Sequence, residues 1–144
     1  MHEQNSYYYD NNPIGKNNDY ITAPEISQMF GEIIGLYILN YWMKKINSKF
    51  NLIELGPGRG TLLKDILKVS KLNSNFLKSA NITLVDKNLK LINLQKDVAN
   101  SFFLKNVKWK TKFQSNSSLP SIIYSNEFFD CLPIRQFYKK NFWL

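Results

Sequence analysis

Apolar residues recur at helical spacing in the first third of the chain. Over residues 26–41 they stand three or four apart, as on one face of an α-helix. Thr22 and Glu25 have the S/T-x-x-E spacing of a capping box, and Pro24 is tolerated in a first helical turn. The pattern predicts one long amphipathic helix over residues 22–46, with its apolar stripe packed in the core. The stripe consists of Ile26, Met29, Phe30, Ile33, Ile34, Tyr37, Ile38 and Tyr41.

Two glycines mark one flank of this helix. Gly31 and Gly35 stand four residues apart, so they lie on the same side of an α-helix. A missing side chain at both positions predicts the close approach of another backbone.

Beyond this helix, short apolar runs alternate with helical patterns. Strands are predicted for FNLIEL, ITLVD, VKWKTKF and SIIYSNE, and helices for the segments that begin near Leu62 and Leu91. Alternating strands and helices predict a mostly parallel α/β sheet. We find no repeat and no domain boundary, so residues 1–144 are predicted to form one domain or part of one. Its parts are a polar segment (1–21), the helix (22–46) and an α/β part (50–144).

Composition and charge exclude several classes of function. The chain has 144 residues and is 44% hydrophobic, which is typical of a globular protein. Its net charge is +8, but Arg59 and Arg135 are its only arginines and its lysines are scattered, so a nucleic-acid-binding surface is not expected. One cysteine, Cys131, and one histidine, His2, exclude an internal disulfide, a multi-cysteine zinc site and a histidine-dependent triad. No metal site is predicted.

Neither a membrane span nor a targeting signal is recognised in the sequence. No stretch approaches the roughly 18 apolar residues that a transmembrane helix needs. The first twenty residues contain no apolar run and no arginine, unlike a signal or transit peptide. We therefore expect a soluble protein in a reducing compartment.

The stretch ELGPGRGT carries the clearest chemical signal. It lacks the lysine of a P-loop, and threonine stands where the dinucleotide fingerprint needs its last glycine. What remains is an acid-x-G-x-G-x-G loop between a strand and a helix, formed by Glu54, Gly56, Gly58 and Gly60. Pro57 removes one N–H group, so the loop offers fewer donors than a phosphate site would use. The loop is suited to a nucleoside that presses against its backbone.

An acidic residue ends the next predicted strand. Asp86 follows ITLV, where a carboxylate can accept hydrogen bonds from ribose hydroxyls. The loop and Asp86 together resemble the S-adenosylmethionine site of class I methyltransferases.

Three longer segments resemble one family more specifically. DYITAPEISQMFGEIIG, LIELGPGRGTLLKDIL and SNEFFDCLPIRQF are similar, in order and spacing, to the signature segments of the MidA-like methyltransferases. The resemblance runs from about Tyr7 to Phe137 and implies a Rossmann-like class I methyltransferase sheet with S-adenosyl-L-methionine as cofactor. The family includes a mitochondrial complex I assembly factor that methylates a protein arginine. A protein substrate is therefore implied, such as a complex I subunit, in the bacterial cytoplasm or the mitochondrial matrix.

The resemblance also assigns roles to residues. The glycines would line the methionine and ribose part of the donor, Glu54 would lie beneath the loop, and the TAPEIS segment would cover the pocket. The implied donor-binding residues are Thr22, Pro24, Glu25, Glu54, Gly56, Gly58, Gly60 and Asp86. Asn126, Glu127 and Asp130 would form the catalytic end of the fourth strand, because its carboxylates can orient a guanidinium. In the structural alternative, Asp130 caps a turn and Glu127 is a solvated surface residue.

Members of this family continue well beyond the fourth strand. We therefore expect this chain to be the N-terminal part of such an enzyme, and SIIYS, almost wholly apolar, to need cover on both faces and a neighbour on each edge. Without the missing half, the chain is expected to self-associate and to lack arginine methylation by itself. Two other functions stay open: a non-catalytic remnant or binding module, and an RNA methyltransferase.

Overall fold

A computed structural model of the chain describes residues 22–114 and 117–133. The helices are α1 (Ala23–Ile26), α2 (Gln28–Tyr41), α3 (Thr61–Ser70), α4 (Ser74–Ser79) and α5 (Leu89–Ser101). The strands are β1 (Phe50–Leu55), β2 (Ala80–Val85), β3 (Val107–Lys110) and β4 (Ser121–Ser125). A π-helical turn, Trp42–Ile46, continues α2, and a 3-10 turn, Phe129–Cys131, follows β4. The predicted polar segment 1–21 lies outside the described residues.

The four strands form one parallel sheet in the order β3-β2-β1-β4. This confirms the predicted α/β fold and the presence of the four predicted strands; β2 spans Ala80–Val85 rather than 82–86, and β3 and β4 end earlier than predicted, at Lys110 and Ser125. Among the described residues, β4 pairs with β1 alone, and Ile123 on β4 is 46% exposed. The described part of the chain thus does not supply the cover that the apolar sequence of β4 predicts.

The first predicted helix is broken at Ser27. This residue has extended dihedral angles (φ −139°, ψ 114°) and separates α1 from α2, so the prediction of one continuous helix over 22–46 is wrong. The capping box is also wrong. Thr22 is the N-cap of α1 but makes no side-chain capping hydrogen bond. The Glu25 carboxylate instead accepts a hydrogen bond from Thr61.

The face of α2 that packs inward is not the predicted apolar stripe. Of the stripe, Ile26, Met29, Ile33, Tyr37 and Tyr41 are exposed. The buried face carries Gly31, Gly35, Ile38 and Leu39. A Cβ atom at Gly35 would lie 3.1 Å from the Cα of Ile66 on α3, which confirms the predicted close approach of a second backbone. Burial of the glycine side turns much of the stripe outward.

An aromatic cluster anchors the core between the helices and the sheet. Trp42, Phe50 and Phe76 have ring centroids 5.2–5.9 Å apart. Phe76 belongs to α4, a short helix that the sequence analysis did not predict. The Asn73 side chain caps it by accepting from the backbone N–H of Asn75. Leucines and isoleucines of α3, β1 and β2 complete this core.

Candidate functional site

The chemistry-bearing segments follow strands that end in register. Leu55 of β1 pairs with Val85 of β2 and with Ser125 of β4. Because the strands are parallel, the next residue of each emerges at the same edge of the sheet. These next residues are Gly56, Asp86 and Asn126. The fold therefore brings the glycine loop, the strand-end acid and the NEFFD segment to one edge, where ligands bind in open α/β sheets.

All three glycines of the loop have left-handed backbone angles. Their φ values are 65° at Gly56, 55° at Gly58 and 81° at Gly60. L-residues with a Cβ atom adopt this conformation at a cost, so the sequence needs glycine here. Gly60 is the N-cap of α3, and its N–H donates to the carbonyl of Pro57 at 2.8 Å. The result is a tight turn from β1 into α3.

Phe128 packs directly on this loop. A Cβ atom at Gly56 would lie 2.3 Å from the Cδ2 of Phe128. The first glycine of the loop is thus required for two reasons: its φ angle and the aromatic ring above its Cα. This contact joins the glycine loop to the NEFFD segment.

Asp86 is held by a small hydrogen-bond network. Its Oδ1 accepts from the backbone N–H of Asn88 at 2.9 Å, and its Oδ2 accepts from Nε2 of Gln95 at 2.8 Å. Nε2 of Gln95 also donates to the carbonyl of Gly58 at 2.8 Å. Burial raises the pKa of Asp86, while the hydrogen bonds from Asn88, Gln95 and the Lys87 backbone act in the opposite direction.

Glu54 lies near the end of β1, two residues before Gly56, and is 2% exposed. The Tyr124 hydroxyl of β4 donates to its Oε2 at 3.1 Å. The pKa of Glu54 is raised to about 8, mainly by burial; the hydrogen bond from Tyr124 opposes this shift and the neighbouring Asp86 charge adds to it. Glu54 is therefore expected to bind a proton near neutral pH.

The TAPEIS segment contacts the other two segments. Thr61 donates its hydroxyl to Oε1 of Glu25 at 2.6 Å, and Nε of Arg59 lies 3.9 Å from the same oxygen. The backbone N–H of Ala23 donates to Oε1 of Glu127 at 3.5 Å. Pro24 is buried within α1. Helix α1 thus lies against the glycine loop and the NEFFD segment.

The predicted catalytic residues lie just beyond β4. Glu127 and Asp130 are exposed and Asn126 is partly buried. Glu127 has a φ of 49°, an angle that non-glycine residues rarely adopt. Strained backbone of this kind is common at binding and catalytic sites.

An apolar cavity of about 440 Å³ adjoins these residues. It lies between α2 and the end of β4, with Phe30, Ile34, Ile123, Asn126 and Phe129 among its lining residues. Neither the loop glycines nor Asp86 lines it, so it is a neighbouring space on the β4 side of the edge.

Sequence reasoning missed four residues of this site. They are Gln95, Trp109, Tyr124 and Phe128. Gln95 had a detectable signal, because it stands four residues after Leu91, at a position where the helical pattern calls for an apolar residue. Phe128 and Tyr124 carried no signal, since their partners come from distant parts of the chain.

In the described residues, no helix has both the length and the apolar character needed to cross a membrane.

Comparison with known proteins identifies relatives of the chain. A family model described as "Putative S-adenosyl-L-methionine-dependent methyltransferase" matches residues 33–143. The chain is 35% identical to protein arginine methyltransferase NDUFAF7, mitochondrial, of Bos taurus, over 92% of this chain and 35% of that protein. The Homo sapiens protein of the same name is 34% identical over the same shares. The chain spans about a third of the length of these curated relatives.

Two further similarities concern a shorter part of the chain and its fold. The Drosophila melanogaster homolog is 51% identical over 46% of this chain and 15% of that protein. A Burkholderia thailandensis protein crystallised with S-adenosyl-homocysteine has the same fold, with a TM-score of 0.67 and 20% identity. The superposition covers 85% of this chain and 32% of that one.

Proposed function

The chain belongs to the MidA-like family of S-adenosyl-L-methionine-dependent methyltransferases, and we propose that it holds this methyl donor between the glycine loop and Asp86. One observation carries the proposal. Gly56 and Asp86 directly follow residues that pair across β1 and β2, so the loop and Asp86 lie side by side at one edge of the sheet.

The chemistry of these groups fits the donor. Three glycines with positive φ leave the loop backbone without side chains, so a nucleoside can approach it closely. A carboxylate at the end of the neighbouring strand accepts hydrogen bonds from both hydroxyls of a ribose. When bound, the donor supplies a methyl group on a sulfonium. Glu25 and Pro24 of α1 would close the site from the N-terminal side.

The residues beyond β4 fit a cationic methyl acceptor. We propose that Glu127 and Asp130 hold a guanidinium through charge-assisted hydrogen bonds and that Asn126 helps to position it. Both carboxylates are exposed, so an arginine of another protein can reach them. Alignment of the reacting groups accounts for much of such a reaction, since good orientation is worth roughly 7–11 kcal/mol.

The chain is proposed to act as the donor-binding part of a protein arginine methyltransferase. The names of its mitochondrial relatives support a protein arginine as acceptor. A complex I subunit as substrate and the mitochondrial matrix as location belong to the same proposal, with the bacterial cytoplasm as the other location.

Calorimetric titration of the chain with S-adenosyl-L-methionine tests the donor site. Binding is expected for the parent and for Asn93→Ala, an exposed control on α5, but not for Gly58→Val. A branched side chain at Gly58 would fill the space above the loop and strain a φ of 55°. Equal binding by Gly58→Val would contradict the loop assignment, and a parent that binds no donor would contradict the proposal.

A transfer assay with labelled donor separates the possible acceptors. The proposal predicts label on an arginine peptide when the remaining part of a relative is supplied. Label on RNA instead would favour the RNA methyltransferase. Donor binding with label on neither the arginine peptide nor the RNA would identify a binding module.

A further inference from the structure

We propose that Gln95 is a positioning residue of the donor site, which fixes the Gly58 carbonyl and the Asp86 carboxylate relative to each other. This inference rests on the proposed function, because it assigns a role in holding the donor. Gln95 belongs to α5, which contributes none of the residues that the resemblance assigns to the site.

The side-chain amide of Gln95 joins three elements. Its Nε2 donates to the carbonyl of Gly58 in the loop and to Oδ2 of Asp86 after β2, each at 2.8 Å. Its Oε1 accepts from the indole Nε1–H of Trp109 on β3 at 3.2 Å. Both protons of the amide nitrogen therefore have an acceptor, and the oxygen has a donor.

These partners permit only one orientation of the amide. The indole of Trp109 can only donate, while a backbone carbonyl and an ionised carboxylate can only accept. A flipped amide would present its oxygen to two acceptors and its NH₂ group to a donor. Trp109 thus sets the direction in which Gln95 donates, and Gln95 in turn sets the spacing of Gly58 and Asp86.

Burial makes this network costly unless every group is satisfied. Gln95 is 0% exposed, and its neighbours on the inner face of α5 are the apolar Leu91, Ile92 and Ala99. An apolar residue at this position would need no hydrogen-bond partners, so an amide is not required for packing. A fully hydrogen-bonded buried amide instead fixes the positions of its partners, because each hydrogen bond restricts the others. The site gains a rigid link between the two groups that face the donor.

The amide also favours the charged form of Asp86. Burial raises the pKa of Asp86, and the hydrogen bond from Gln95 is one of the interactions that oppose this shift. The charge of Glu54 on β1 interacts with Asp86, Lys87 follows Asp86 in the chain, and the Asp86 N–H donates to the backbone carbonyl of Lys110 on β3. Loss of the Gln95 amide therefore raises the pKa of Asp86 further and weakens its acceptance of ribose hydroxyls.

Gln95→Leu removes the hydrogen bonds and keeps most of the volume. At pH 7 we expect it to weaken the binding of S-adenosyl-L-methionine roughly 10- to 100-fold, the worth of a hydrogen bond to a charged group. The ¹³C resonance of the Asp86 carboxyl, followed against pH in the donor-free chain, is expected to titrate at higher pH than in the parent. Trp109→Phe removes only the hydrogen bond to the Gln95 oxygen, so the amide can still donate to Gly58 and Asp86 but is no longer held in one orientation. We therefore expect a smaller loss of donor affinity and a smaller rise in the pKa of Asp86 than in Gln95→Leu.

Leu91→Ala on the same face of α5 is the matched control. It removes buried contacts near Gln95, so it is expected to lower stability while leaving both donor affinity and the Asp86 titration unchanged. Unchanged affinity and titration in Gln95→Leu would overturn the positioning role, as would equal losses in Leu91→Ala. A parent chain that binds no donor would overturn the proposed function itself and this role with it.

Discussion

Replacing the first loop glycine tests how the loop and the NEFFD segment fit together. In Gly56→Ala, the new Cβ would lie 2.3 Å from the Cδ2 of Phe128 and 3.1 Å from its Cγ and Cε2. The residue would also keep a φ of 65°, which disfavours any L side chain. Two separate penalties therefore add at one position.

The size of each penalty follows from the geometry. A left-handed backbone costs an alanine roughly 1–2 kcal/mol, and overpacking costs roughly 1–3 kcal/mol more. Gly60→Ala provides the comparison. Its φ is 81°, but its Cβ would lie 3.4 Å from the Cγ2 of Val98, an ordinary contact. Gly60→Ala should thus show the backbone penalty alone, and Gly56→Ala should be less stable than Gly60→Ala by about 1–3 kcal/mol.

Urea unfolding followed by circular dichroism measures these differences. Phe128→Ala is added to each glycine variant to complete two double-mutant cycles. Because the clash disappears with the ring, a coupling energy of about 1–3 kcal/mol is expected between Gly56 and Phe128, and none between Gly60 and Phe128. Equal effects of the two glycine variants, or additive behaviour at Gly56 and Phe128, would refute the contact.

Three further predictions concern the donor site and the helix packing. Asp86→Ala should weaken donor binding by about 1.5–3 kcal/mol in calorimetry, and an unchanged affinity would leave Asp86 without a role in the site. Glu54 has a pKa raised from 4.5 to about 8, so its protonated form stabilises the fold; this contribution is complete below about pH 4.5 and is lost as pH rises through 8. The free energy of unfolding should therefore fall by up to about 5 kcal/mol over that range in the parent and much less in Glu54→Gln, whereas a rise with pH in the parent would contradict the assignment. Gly31→Ala places a Cβ 2.6 Å from Oδ2 of Asp65 and should cost about 1–3 kcal/mol of stability, against almost nothing for Asn40→Ala on the exposed side of the same helix.

Local sequence patterns were sufficient for the sheet and the loop. The strands FNLIEL and SIIYS carry apolar runs bounded by polar or turn residues, and both are confirmed as β1 and β4. The glycine spacing of the loop requires positive φ, a property of single residues that a sequence displays directly. Gly31 and Gly35 likewise predicted a close helix contact that the structure confirms.

Tertiary contacts decided what local patterns could not. Apolar residues of α2 could face the core on the side of the predicted stripe or on the side of the two glycines. The contact of Gly35 with α3 buried the glycine side and left much of the stripe exposed. Glu25 has the spacing of a capping box, but Thr61 offers it a hydroxyl from across the site. The role of Gln95 depends on its hydrogen bonds to Gly58, Asp86 and Trp109, which are distant from one another in the sequence, so no local pattern predicts it.

Chemical-shift mapping of the ¹⁵N-labelled chain with S-adenosyl-L-methionine tests whether the donor binds at the edge of the sheet that carries the glycine loop and Asp86. We expect saturable shifts in the backbone amides of Gly56, Gly58, Gly60 and Asp86, and no shifts in α4. Helix α4 is the internal reference, because it carries Phe76 of the aromatic cluster and directly precedes β2, at the other end of that strand from Asp86. Saturable shifts elsewhere but not in the loop and Asp86 would contradict a donor site at this edge of the sheet, and so would the lack of any shift at millimolar donor.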